Sequence, residues 1–246
     1  MNTCKNVLKY FFFSLVLLGV YTPGMSKNNN KKYECKFTSE AINVNGKADE
    51  AIWNTIQPVY FIANKKEKLR ENSMFKAVWD NEYLCFYFWM DDKDLTGKMT
   101  ERDAHLWHEE VMEIFLDADS NPKTYYEFEW NPLNTLLDLY VLNPGCNRDV
   151  IRQWWSWNCV GIKSAVTLKG TLNDNTDTDE GWALEVAIPF SQIQSAVNIP
   201  PKANDTWKFD LTRREGTEQE GDLQKSSWLP PSCHFPLSYG TLIFKK

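Results

Sequence analysis

Residues 107–142 constrain the fold of this chain more than any other stretch. Three runs there alternate side chains with the period of two that belongs to β-strands. In Val111–Asp117, Met112, Ile114 and Leu116 point one way, and Val111, Glu113 and Phe115 the other. In Tyr125–Asn131, Tyr126, Phe128 and Trp130 oppose Tyr125, Glu127, Glu129 and Asn131. In Thr135–Leu142, Leu137, Leu139 and Val141 oppose Leu136, Asp138 and Tyr140. An antiparallel meander of these runs has one oily face and one face mixing acids, an amide and aromatic rings. A face turned only to water needs no more than Lys, Thr and Ser. Acids beside rings suit a ligand rich in hydroxyls and C–H bonds, because hydroxyls need directional partners and C–H groups pack on indole and phenol faces.

The flanking segments extend the same pattern. Asn45-Gly46 reads as a turn, with Asp49 as N-cap of one or two helical turns carrying Ile52, Trp53 and Ile56. Pro58 ends that helix, and Trp53 reads as a core residue. Phe75–Trp79 and Tyr83–Met90 form a hairpin around Asp80-Asn81-Glu82. The second arm is apolar on both faces, as a central strand of a sandwich is. Strands follow around 162–168, 182–188, 207–212 and 240–244, with a short helix suggested at Pro189–Ile193. Many short strands, frequent turn signals and little helix give an all-β fold, an antiparallel β-sandwich, in one domain over residues 40–246.

The N-terminus reads as an address. Lys5 and Lys9 precede the apolar core Phe11–Tyr21, and small residues at Gly24 and Ser26 follow. This is the layout of a secretory signal peptide over residues 1–26, too short in its apolar core to span a membrane comfortably. Residues 27–39 then read as a polar linker. Export permits disulfides. Removal of the leader takes Cys4 and leaves Cys35, Cys85, Cys146, Cys159 and Cys233, an odd number. Cys85 sits within a strand pattern as a small buried residue, and Cys146 with Cys159 is the pair to test first. No Cys-x-x-Cys spacing suggests zinc. The net charge of −6 and the lack of a basic tract exclude nucleic acid as the partner.

Several segments in order resemble the family 9 carbohydrate-binding modules and related secreted proteins. They are Asn45–Trp53, Trp79–Leu84, Trp107 with Val111–Asp117, Tyr125–Pro132, Trp182–Phe190, and Phe235 through Tyr239-Gly240-Thr241-Leu242. Together they cover nearly all of residues 40–246. The resemblance implies a β-sandwich that binds an oligo- or polysaccharide without catalysis, two tryptophans clamping one sugar ring while a strand carboxylate accepts from its hydroxyls. Trp107 and Glu113 match the first tryptophan and the carboxylate. An arginine is expected on the following strand, where Glu129 stands instead, with Asn131 two residues on. The second tryptophan has no clear match: Trp228 lies in the C-terminal loop, and Trp155 belongs to a tryptophan-rich loop with Trp154 and Trp157. The candidate carbohydrate-binding residues are therefore Trp107, Glu113, Glu129, Asn131, Trp228 and Trp155.

Four other readings compete. Glu113 and Glu129 on adjacent strands suit the carboxyl separation of a retaining glycoside hydrolase. A haem would need His105, His108 or His234, and His105-x-x-His108 in a loop is not expected to present both rings on one side. Asp117-Ala118-Asp119-Ser120-Asn121 opens like a calcium loop, yet Pro122 stands where glycine is needed, so it reads better as a polar hairpin turn. A structural calcium ion is compatible with the family resemblance without naming its ligands. A sandwich kept only for structure or adhesion is the last alternative.

Overall fold

The computed structural model describes residues 31–63, 68–146, 151–216, 221, 223–229 and 233–246. The predicted leader lies outside the described residues. Fourteen strands follow in chain order: β1 Lys32–Phe37, β2 Val59–Tyr60, β3 Ile62–Ala63, β4 Ser73–Trp79, β5 Tyr83–Asp91, β6 Val111–Asp117, β7 Thr124–Trp130, β8 Leu136–Leu142, β9 Arg152–Trp154, β10 Lys163–Lys169, β11 Gly181–Pro189, β12 Thr206–Glu215, β13 Gln224–Ser227 and β14 Gly240–Lys245. One α-helix, α1, spans Ala51–Thr55. Among the described residues no helix is long and apolar enough to cross a membrane.

The strands form one continuous sheet in the order β10-β11-β5-β4-β1-β14-β12-β6-β7-β8-β9, curled on itself into a sandwich. Its two halves meet through a single large apolar cluster. Phe75 of β4 reaches Phe209 of β12 with ring centroids 6.2 Å apart, and Trp79 of β4 reaches Phe244 of β14 at 5.3 Å. Met112, Ile114, Leu116, Phe128 and Trp130 enter this core from β6 and β7, all fully buried, as the alternation requires. Burying side chains of this size stabilises by roughly 1.5–3 kcal/mol each, before the entropy of ordering them.

Two sequence expectations change here. Residues 32–37, read as part of a linker, are β1. Tyr33 and Cys35 are buried between charged neighbours, and the strand runs parallel to both β14 and β4. Its period-two signal is short and hidden behind a lysine-rich run. The α1 cap also differs. Asp49 accepts from the Asn45 amide, and Glu50 occupies the N-cap, its carboxylate accepting from the Asn43 N–H and the Trp53 indole N–H. Trp53 itself is 1% exposed and covers Tyr87 of β5, as a core residue should. Gly46 has φ of +80°, the left-handed conformation that an Asn-Gly turn demands, and its N–H donates to Glu185. No disulfide joins Cys146 and Cys159, the pair to test first, among the described residues.

Candidate functional site

The second face of β6, β7, β8 and β12 carries the polar set. Strand register places Glu113 directly opposite Glu129, with Thr212 on the far side of Glu113. Leu137 and Leu139 of β8 then fall opposite Glu129 and Glu127. The third run is thus out of phase with the oily face expected of it: its leucines lie on the acidic side, while Asp138 turns the other way to meet Arg102 and the Cys159 N–H. Phe115, Tyr125, Leu137, Leu139, Val141, Cys233 and Tyr239 surround the acids with hydrocarbon. Glu113, Glu127 and Glu129 are each at most 2% exposed.

Arg214 of β12 is the residue the sequence reading missed. Its Nε donates to Glu113 Oε1 at 2.8 Å and its Nη1 to the Trp107 carbonyl at 3.0 Å. It comes from β12, on the side of β6 away from β7, and ties the acidic floor to the aromatic rim. One oxygen of Glu113 and one of Glu129 remain buried without a hydrogen-bond partner. Burial, reinforced by Glu113 and Glu127 and only partly opposed by Arg214, holds the Glu129 carboxyl well above the ordinary glutamate range.

A short 3₁₀ turn, Leu106–His108, forms the rim. The half-buried Trp107 stacks on His105 with centroids 4.5 Å apart and planes 16° apart. Trp155 joins it at 6.1 Å and 52°. Three residues per turn bring His105 and His108 to the same side, with rings 6.2 Å apart, contrary to the expectation for an extended loop. Trp107, His108, Glu127, Glu129, Gln153, Arg214, Lys225 and His234 enclose a cleft of about 290 Å³. His234 faces Tyr125 Oη at 2.7 Å through Nδ1 and Glu127 at 3.8 Å through Nε2.

The structure brings Trp107, Glu113, Glu129 and Trp155 together and leaves two candidates apart. Asn131 is spent on its own turn: its amide donates to Met99 O and Glu109 Oε1, both at 2.8 Å, and its oxygen accepts from the Leu133 and Thr135 N–H groups. Trp228 is 1% exposed, lying 4.2 Å from the Phe209 ring centroid inside the core. A Cβ on Gly240 would come within 2.5 Å of that indole, so glycine there lets strand and ring close up. Trp107 and Trp155 do not make a clamp. A ring held between two others needs about 7–8 Å between their planes, twice a carbon–carbon contact. At 6.1 Å and tilted, the two indoles touch and present one angled wall.

Asp117 and Asp119 close the β6–β7 turn by accepting from the Asn121 N–H at 3.0 and 3.1 Å. Burial, with Asp119 beside it, pushes the Asp117 carboxyl up to about 7. Among the described residues no three His, Cys, Asp or Glu side chains gather to hold a metal ion.

A β-sandwich whose polar face sets buried acids and an arginine beneath an aromatic wall is the architecture of a sugar-binding module. Residues 44–245 match the model described as carbohydrate family 9 binding domain-like, and the chain belongs to that family. Endo-1,4-beta-xylanase A of Thermoanaerobacterium saccharolyticum is 24% identical over 189 residues, 77% of this chain and 14% of that protein. An extracellular protein of Arthroderma benhamiae is 27% identical over 145 residues, 56% of this chain and 62% of that protein. The chain thus spans less than two thirds of either relative. A structure from Bacteroides uniformis, of a protein proposed to bind carbohydrate, superposes with a TM-score of 0.70 at 18% identity, covering 87% of this chain and 99% of its own. A family 9 module of Caldicellulosiruptor kristjanssonii in complex with cellotriose gives 0.61 at 14% identity, covering 87% and 94%. At these identities the structural likeness speaks for the fold.

Proposed function

We propose that this chain binds a carbohydrate in the cleft beneath Trp107 and does not cleave it. The observation that carries this reading is the junction at Arg214, which joins the buried Glu113 to the backbone of the rim tryptophan. It places an apolar ring face and directional polar groups around one small volume. The cleft lies near the lower end of the roughly 300–1,000 Å³ that ligand pockets occupy, a size suited to one or two sugar units. In this reading Trp107, widened by Trp155, receives the C–H face of the sugar. Glu129 and Glu127 accept from its hydroxyls, and Arg214 and Gln153 donate to them.

Hydrolysis is the weaker reading. Glu113 and Glu129 do face each other across adjacent strands, but Glu113 already accepts from the Arg214 guanidinium at 2.8 Å. A glycosidase nucleophile needs free approach to the anomeric carbon and room for water. The leader-like segment 1–26 and the extracellular relative support an exported protein that holds polysaccharide for other enzymes to degrade.

A glycan array followed by titration calorimetry tests the proposal. Binding to a neutral oligosaccharide, lost or strongly weakened in Trp107→Ala with folding intact, is the expected result. No binding to any plant, algal or host glycan would overturn it, leaving a sandwich kept for structure or adhesion. New reducing ends that disappear in Glu113→Gln would replace it with an enzyme.

A further inference from the structure

Four rings make the aromatic rim. His105, Trp107 and His108 come from the short turn before β6, and Trp155 from a loop much later in the chain. The imidazole of His105 is nearer to each indole than the indoles are to one another. Its centroid lies 4.5 Å from Trp107 with planes 16° apart, and 5.3 Å from Trp155 at 42°. The two indoles are 6.1 Å apart. The first contact is an offset stack and the second a tilted one, both at separations where aromatic rings attract. The turn fixes the imidazole from behind: the buried Leu106 anchors it, and the His105 carbonyl accepts from the His108 N–H at 3.1 Å. His105 itself is exposed, and among the described residues its side chain makes ring contacts only, with Trp107, His108 and Trp155. Core stability does not call for an exposed ring of this kind. Nor does His105 belong to the residues that enclose the cleft, whereas Trp107 does. The imidazole therefore stands on the side of the indole turned from the cleft.

We propose that His105 is a positioning residue of the sugar site: its imidazole joins Trp155 to Trp107 and holds the two indoles as one wall, without touching the sugar. This rests on the sugar-binding reading for its effect on affinity, but not for its effect on the rings. A stacking platform works by offering a flat face that is already in place, so the sugar does not have to order it on binding. His105 supplies that order by backing Trp107 and by tying the Trp155 loop to the rim turn. What the role requires of the side chain is a flat ring. A hydrogen-bonding group at this position does not serve it.

Three substitutions separate these demands: His105→Ala removes the ring, His105→Phe keeps a flat ring without nitrogen, and His105→Gln keeps polar reach without a ring. Titration calorimetry with cellotriose, or with the best-bound array glycan where cellotriose does not bind, gives the first arm. His105→Ala and His105→Gln should weaken binding by about two- to tenfold, the size of one aromatic pair, and His105→Phe should restore it. Unchanged affinity in His105→Ala would overturn the proposal. Retention in His105→Gln with loss in His105→Phe would also overturn it, by making the imidazole a hydrogen-bonding contact of the sugar. The second arm needs no sugar. The indole N–H resonances of Trp107 and Trp155 in nitrogen-15 NMR, assigned with Trp107→Phe and Trp155→Phe, should both move in His105→Ala and return toward their wild-type positions in His105→Phe. Resonances that stay in place in His105→Ala count against the proposal. If wild type binds no glycan at all, the sugar-binding reading fails, while the indole resonances still decide whether His105 builds the wall.

Discussion

Arg213 and Arg214 are neighbours on β12 and face opposite ways, and their surroundings divide the molecule into a part that holds and a part that receives. Arg213, 1% exposed, lies between the two layers. Its guanidinium donates to Asp92 at 3.0 Å, Glu110 at 3.1 Å, the Asp91 carbonyl at 2.7 Å and Ser73. Glu110 also accepts from the Trp182 indole at 2.6 Å. Arg214 serves Glu113 and a rim carbonyl and leaves acid oxygens around it unpartnered. Both arginines answer buried acids. In the first cluster the protein satisfies the acids from within, as interiors require. In the second it stops short, and the unmet capacity opens on a cleft. A one-residue step along a strand is enough to separate acids that are satisfied from acids with unmet hydrogen-bonding capacity.

The largest way to break this contrast is Arg213→Met. It strands Asp92 and Glu110 in the core and should cost about 3–5 kcal/mol in urea unfolding. A loss below about 1 kcal/mol would show that the cluster does not hold the layers together. Trp228→Ala should cost a similar ~3–5 kcal/mol through the cavity it leaves against Phe209, with sugar affinity of the folded fraction unchanged. Weaker affinity there would return Trp228 to the site. Trp107→Ala belongs to the other side of the contrast: about 1–3 kcal/mol of binding free energy, and little stability.

A smaller effect sharpens the electrostatics. The raised Glu129 group favours the folded state below the ordinary glutamate range and ceases to do so as pH climbs through its folded value. Glu129→Gln should therefore melt higher than wild type at pH 7, with the gap closing as pH falls to 4. A constant gap across that range would place the effect elsewhere. Smallest of all, Trp154→Ala at the sheet edge, where the ring is 55% exposed, should change stability by under about 0.5 kcal/mol and leave binding alone.

The sequence made the strands of β6 and β7 legible because one side of each is uniformly apolar. Leu136-Leu137-Asp138-Leu139-Tyr140-Val141 offered no such asymmetry, and its phase was set by what covers it: the rim and C-terminal loop on one side, Tyr126 and Trp157 on the other. Trp107 and Glu113 could be placed because they lie six residues apart, on the rim turn and on the strand that follows it. Arg214 could not. It stands in Arg213-Arg214-Glu215, which reads as a solvated strand end, and it reaches Glu113 through a pairing between strands about 100 residues apart. Trp155 and Trp228 look alike in sequence, each in a loop. What separates them is β13, whose pairing with β12 delivers Trp228 onto Phe209.

The place of β1 carries a consequence of timing. This strand follows directly on the leader-like segment, yet it pairs with β14, about 200 residues later, and sits at the middle of the strand order. Until the last strand arrives, β1 and β12 both lack the neighbour they share, and the curl between the two halves cannot close. Closing a loop of that length costs about 4–5 kcal/mol in chain entropy, which only the completed seam offsets. Non-local pairings of this kind also slow folding. A chain built this way postpones its native state until β14 has joined β1 and β12.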